Sequence, residues 1–193
     1  MSALKKPQIL RIAEVASSRL FTIQSVQLRF SNGVERVYER MKPAGREAVM
    51  ILALEGDNVL MIEEYAVGIE GYELGFPKGL IDPGETPEQA AVRELKEEVG
   101  MGAEKLTSLG QVTMAPSYFS SRMHILVAEN LYPEWLTGDE PEPLVIHRWP
   151  VSRLIDLLSH PQFQEARNIS AMFLLREWLA KPSQASILSE EVG

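Results

Sequence analysis

Residues Gly79-Leu80-Ile81-Asp82-Pro83-Gly84-Glu85-Thr86-Pro87-Glu88-Gln89-Ala90-Ala91-Val92-Arg93-Glu94-Leu95-Lys96-Glu97-Glu98-Val99-Gly100-Met101 decide how this chain is read. Thr86 is an N-cap residue, Pro87 suits the first helical turn and Gln89 stands where a capping-box partner belongs. Gly100 is a C-terminal stop. Ala91, Leu95 and Val99 form an i, i+4, i+8 apolar stripe, so the spacing predicts a helix from Pro87 to Val99 seated on a sheet. That helix carries Glu94, Glu97 and Glu98 at i, i+3 and i+4, on one face. Arg93 and Lys96 are expected to project elsewhere, leaving the three carboxylates without a neutralising side chain. Such a cluster persists in water, beside a cation, or with shifted pKa values. Hard oxygen ligands at this density suit Mg²⁺ or Mn²⁺. Ahead of the helix, Gly79 to Glu85 reads as a loop bracketed by glycines, able to bring main-chain groups close to a ligand. A plain solvated acidic helix is the competing reading.

Outward from this segment the chain alternates sheet and helix. Leu20 to Phe30, the turn Ser31-Asn32-Gly33, and Val34 to Tyr38 read as one hairpin. Ala48 to Leu54, a turn through Gly56-Asp57-Asn58, and Val59 to Tyr65 read as a second, whose nearly continuous apolar runs imply burial on both faces. Further strands are expected at Leu109 to Met114, Met123 to Ala128 and Leu144 to Trp149, and helices at Val151 to Leu158 and Ile169 to Leu179. The sum is an α/β or α+β sandwich around a mixed sheet. Met50, Met61, Met114, Met123 and Met172 read as core filler. His124, His147 and His160 are scattered and read as structural or surface residues.

Composition narrows the function. The chain has 193 residues, 45% of them hydrophobic and 24% charged, enough apolar mass for a core. Nineteen bases against 27 acids leave a net charge of −8, which argues against nucleic acid as a partner, since phosphate backbones call for clustered Lys and Arg. No cysteine is present, which excludes disulfide scaffolds, thiolate metal sites and Cys nucleophiles. No apolar run of about 18 residues marks a membrane span, and the first residues lack the apolar centre of a signal peptide. A cytoplasmic protein with no membrane partner is expected.

The segment from Gly79 to Met101 fits, at every defined position, the Nudix box: G, five residues, E, seven residues, R-E, an aliphatic residue, any residue, E-E, any residue, G, an aliphatic residue. Average composition would produce those fixed letters with probability about 10⁻⁸ per start position, so chance acidity does not account for them. The chain resembles the Nudix hydrolases, which cleave nucleoside diphosphates linked to another moiety. The stretches Arg46-Glu47-Ala48-Val49-Met50, Tyr72-Glu73-Leu74-Gly75-Phe76, Met114 to Ser121, Gly138 to Pro143 and Glu165-Ala166-Arg167-Asn168 are similar to the NudE-type subgroup of ADP-compound hydrolases, close to the ADP-ribose pyrophosphatase branch.

The resemblance implies an α/β/α sandwich with a mixed sheet and an N-terminal antiparallel β arm. It divides the chain into a dimerising arm at 1–43, a hydrolase domain at 44–182 and a tail at 183–193. It implies two or three Mg²⁺ (or Mn²⁺) ions and an ADP-linked substrate such as ADP-ribose, NADH or a diadenosine polyphosphate. Glu94 and Glu98 match the main metal ligands, joined by the Lys78 main-chain carbonyl and by Glu142. Glu97 is a ligand or orients water, and Glu140, on an acidic loop after the box, is the general-base candidate. Glu85 and Arg93 match an ion pair that locks the loop to the helix, with Gly79 and Gly100 as the motif's structural glycines. Pro116 and Tyr118, fifteen and seventeen residues past Met101, match substrate-class markers. The related branch carries an arginine where this chain reads Glu64-Tyr65-Ala66, and Arg40 and Arg46 are the expected substitutes. A catalytically silent nucleotide sensor is the alternative, and the intact carboxylate trio disfavours it.

Overall fold

The computed structural model describes residues 4–43 and 45–181; the expected tail at 183–193 lies outside them. The chain divides into two compact units, Met1–Gly45 with Thr113–Ser121, and Arg46–Val112 with Arg122–Gly193.

In the first unit β1 (Gln8–Ser17), β2 (Thr22–Arg29) and β3 (Glu35–Met41) form an antiparallel sheet in that order. Leu20 and Phe21, expected in a strand, lie instead in the β1–β2 turn, where the Ser18 amide donates to the Phe21 carbonyl at 2.7 Å. The Phe21 amide in turn donates to the Ser18 hydroxyl at 3.0 Å. Local Ser-based turn bonding overrides the apolar pattern there. Residues 113–121, which the sequence reading left with the hydrolase domain, belong to this unit: the Met41 amide donates to the Tyr118 carbonyl at 2.8 Å. Met114, expected in the core, is exposed.

The second unit holds β4 (Ala48–Glu55), β5 (Asn58–Ala66), β6 (Gly71–Gly75), β7 (Lys78–Leu80), α1 (Pro87–Glu98), β8 (Met101–Thr113), β9 (Arg122–Pro133), β10 (Val145–Pro150), a 3₁₀ helix (Val151–Ser159) and α2 (Ala166–Leu179). The sheet runs β10-β5-β4-β9-β8, with β6 on β5 and β7 on β4. It is mixed because β4 lies parallel to β9 and antiparallel to β5 and β7.

Side chains of β4 alternate between two cores, as the pleat requires. Val49, Ile51 and Ala53 pack with Ala91, Leu95 and Val99 at α1, whereas Met50 and Leu52 pack with Leu154, Leu157, Met172 and Leu175 on the other side. Both faces of β4 are therefore buried, and the sheet lies between two helical layers. The segment from Val151, expected as an α-helix, is 3₁₀ with a break at Arg153. The cause is local: the Trp149 indole N–H captures the Arg153 carbonyl at 2.9 Å, a group an α-helix would use for itself.

Candidate active site

The α1 capping box forms as its letters dictate: the Thr86 side chain accepts from the Gln89 amide and the Gln89 side chain accepts from the Thr86 amide. Ala91 and Leu95 are fully buried against β4. That anchoring fixes the helix rotation and turns Glu94, Glu97 and Glu98 into a cleft of about 510 Å³. Arg46, Lys78, Asp82 and Glu140 also line it.

Gly79 is not in a flexible loop. It sits in β7, paired with Val49 of β4, and the Glu94 carboxylate occupies the space that a Cβ on Gly79 would take. The box glycine thus serves close approach between strand and carboxylate. Gly100 plays a matching part at the other end of α1, where the Trp135 ring lies against it. Two main-chain bonds reinforce that contact, Glu134 amide to Gly100 carbonyl at 3.1 Å and Leu136 amide to Lys96 carbonyl at 3.0 Å. They strap residues 134–136 to the helix end and deliver Gly138-Asp139-Glu140 to the cleft. Glu140 folds back over Gly138, whose Cα faces the Cβ of Glu97.

The electrostatics differ from expectation at Arg93. Its guanidinium donates to both Glu85 oxygens at 2.8 and 2.9 Å and to the Leu80 carbonyl at 2.8 Å. It also turns toward the trio, donating from Nη1 to Glu94 at 2.7 Å and Glu97 at 3.0 Å. A long side chain can curl around its helix to reach the i+1 and i+4 carboxylates, which the projection of Cβ alone does not reveal. Lys96 does point away, to Glu134 at 2.9 Å. Hydrogen bonds from Arg93 lower the Glu85 carboxyl to about 2.

Glu98 receives no such help. Its carboxylate accepts one bond from the Lys78 amide at 3.0 Å, and burial pushes its pKa up to about 8 despite the Lys78 charge. Burial also raises Glu94, against the Arg93 bonds, with the charges of Glu97 and Glu140 adding to the rise. Two carboxyls that resist ionisation, beside two more, are a set a hard divalent cation would fit. Among the described residues no three His, Cys, Asp or Glu side chains yet converge on one point; Arg93 holds Glu94 and Glu97 in its own fork.

The other expected residues are distributed unevenly. Arg46 is in the cleft, its Nη2 at 3.9 Å from Asp82. Glu142 is exposed and accepts from the Tyr72 hydroxyl at 2.7 Å, and it does not line the cleft. Arg40 donates to Gln24 at 3.2 Å, and with Pro116 and Tyr118 it belongs to the first unit. The sequence reading missed Glu64 and the Lys78 side chain, which pair at 2.5 Å at the cleft wall. Their signal in the sequence was a charge at the end of an apolar strand, Glu64, and one beside the box glycine, Lys78.

Comparison with known proteins agrees with this geometry. Residues 7–40 match the model of the NudE-type Nudix hydrolase N-terminal domain and residues 44–179 that of the NUDIX domain. The chain is 64% identical to the ADP compounds hydrolase NudE of Escherichia coli (strain K12), covering 92% of this chain and 95% of that one. It is 28% identical to an ADP-ribose pyrophosphatase of Bacillus subtilis (strain 168), over 68% of this chain and 70% of that one. A crystal structure of an ADP compounds hydrolase superposes with a TM-score of 0.89 at 63% identity, over 93% of this chain and 97% of that one.

Proposed function

Because the chain belongs to the Nudix hydrolase family, we propose that it hydrolyses the pyrophosphate bond of ADP-containing compounds and releases AMP. The observation that carries this reading is the cleft itself, which Glu94, Glu97, Glu98 and Glu140 line together with Arg46 and Lys78. Glu94 and Glu98, with the Lys78 carbonyl, are the groups that would hold divalent metal ions, Mg²⁺ or Mn²⁺ and two or three in number. Bound there, the ions would neutralise the pyrophosphate and acidify water.

The chain's own residues do the rest. Glu140 accepts a proton from the attacking water, Glu97 orients that water, and Arg46 steadies a phosphate oxygen. Attack in line on phosphorus breaks one P–O bond, so ADP-ribose and water give AMP and ribose 5-phosphate. Arg93 keeps Glu94 and Glu97 in place while it bonds Glu85.

Assaying AMP release from ADP-ribose, NADH and diadenosine polyphosphates, with Mg²⁺ and with EDTA, tests the reading. Metal-dependent AMP release from at least one is expected. No turnover on any of them, despite nucleotide binding, would leave the silent sensor instead.

We also place the protein in the cytoplasm as a homodimer paired through the arm. Ile9, Val15 and Val37 are 53%, 53% and 64% exposed on its sheet, apolar area of the kind that self-association buries. Among the described residues no helix is long and apolar enough to cross a membrane. A monomer by light scattering at micromolar concentration would refute the pairing.

A further inference from the structure

Beside the catalytic cleft lies a second, smaller cavity of about 210 Å³, and the two share Glu64 and Lys78 as a common wall. Tyr65, Glu73 and Arg167 also line it. Glu64 on β5 and Glu73 on β6 are direct cross-strand partners. Like charges in that position destabilise a sheet, and Lys78 neutralises only Glu64.

Arg167 is fixed in a particular way. Glu165, the N-cap of α2, uses one oxygen for the Asn168 amide at 2.9 Å and the other for Arg167 Nε at 2.6 Å. That leaves the terminal nitrogens of the Arg167 guanidinium without a hydrogen bond to any described residue. The cavity therefore presents a carboxylate acceptor and a positioned guanidinium donor, a short step from the cleft. With Glu64 neutralised by Lys78, the Glu73 carboxylate disfavours a further phosphate beside it. Paired with Arg167, Glu73 suits the vicinal hydroxyls of a sugar, which donate to carboxylate and accept from guanidinium.

We propose that Arg167 and Glu73 bind the sugar of the substrate half that leaves as a pentose phosphate, and so select substrates by what is joined to AMP. This rests on the ADP-compound reading and assigns one end of that substrate to this cavity. Tyr65 lines the same cavity.

The test is binding and turnover of ADP-ribose, with AMP as the control ligand, for the wild type, Arg167→Ala, Arg167→Lys and Glu73→Ala. Calorimetry in Ca²⁺ without turnover reads binding separately from catalysis. Expected is an affinity for ADP-ribose at least tenfold weaker in Arg167→Ala and Glu73→Ala, an AMP affinity within twofold of wild type, and partial rescue in Arg167→Lys. Glu73→Ala also relieves the cross-strand repulsion, so its Tm should hold or rise while sugar binding falls, a split that a merely structural role does not produce. Wild-type affinity for ADP-ribose in both alanine variants would overturn the proposal, as would equal losses for ADP-ribose and AMP. Failure of the wild type to hydrolyse any ADP-linked compound would sink the functional reading instead, and the binding comparison would still decide the sugar site.

Discussion

Gly79→Ala separates two accounts of the box glycine, bend and close approach. The added methyl falls on the Glu94 carboxylate, and neither backbone can retreat. Behind Gly79, β7 is paired with β4 through Val49, which is fully buried, and α1 is pinned by Ala91 and Leu95, also fully buried. The Glu94 carboxylate must therefore swing away and abandon its 2.7 Å bond to Arg93. Losing one partly buried charge-assisted hydrogen bond costs about 2 kcal/mol, which lowers Tm by about 4–8 °C in a chain of this size. Displacing a cleft carboxylate by roughly 1 Å should cost far more in turnover, on the order of 100-fold.

The assay is Mg²⁺-dependent AMP release together with thermal unfolding by circular dichroism. The comparison variant is Gly84→Ala, which meets nothing within 4 Å but sits at φ +94°. It should lose about 1–2 kcal/mol to backbone strain and keep wild-type kcat/KM. Two outcomes would refute the reasoning: full activity in Gly79→Ala, or equal activity losses in both variants, since the second would mean that chain flexibility is what the box glycines provide.

Three further predictions follow from the same geometry. Glu85 has a carboxyl lowered to about 2, so its stabilisation is present above the unfolded value of 4.5 and is lost as pH falls toward about 2. Glu85→Gln should therefore lower stability by about 1–2 kcal/mol at pH 7, less than the shift alone implies because water screens the pair, and denaturant titrations should show the gap closing below pH 4.5. Trp135→Ala removes the ring that rests on Gly100; loosening the strap that carries Glu140 should cut kcat about tenfold with KM within twofold, and an unchanged kcat would show that the strap does not position Glu140. Glu140→Gln should lower single-turnover AMP formation by about 10²–10³-fold while leaving Mg²⁺ affinity near wild type.

The carboxylate face was legible because helical spacing is a local property: Thr86, Pro87, Gln89 and the Ala91, Leu95, Val99 stripe fix both the start of α1 and its rotation on the sheet. The layered fold was legible for the same reason, through the doubly buried run of β4. What could not be read were features made by pairing at a distance. Gly79 looks like a loop residue until β7 is placed on β4. Residues 113–121 look like part of the larger domain until the Met41 amide finds the Tyr118 carbonyl. Glu142 sits beside Glu140 in sequence, yet the Tyr72 hydroxyl, 70 residues away, takes it out of the cleft.

Arg93 reaches farther than its place on α1 suggests. Read by its Cβ direction it belongs to another face of α1 than the trio, and a purely structural ion pair with Glu85 would account for it. Its actual reach makes it the counter-charge of the site, because one guanidinium holds Glu85, Glu94 and Glu97 together. Glu98 is the member it does not touch, and Glu98 is also the one whose carboxyl is driven furthest up by burial. The four carboxylates are thus not equivalent: three accept hydrogen bonds from Arg93, and Glu98 is buried with the Lys78 amide as its hydrogen-bond donor. A cation held by Glu98 and Glu94 would have to compete with Arg93 for the Glu94 carboxylate. Replacing Arg93 by Lys keeps the charge but loses the fork, so the ion pair with Glu85 and the placement of Glu94 cannot both survive. The motif demands arginine beside Glu94 for that reason, and metal affinity, rather than folding alone, is where Arg93→Lys should register.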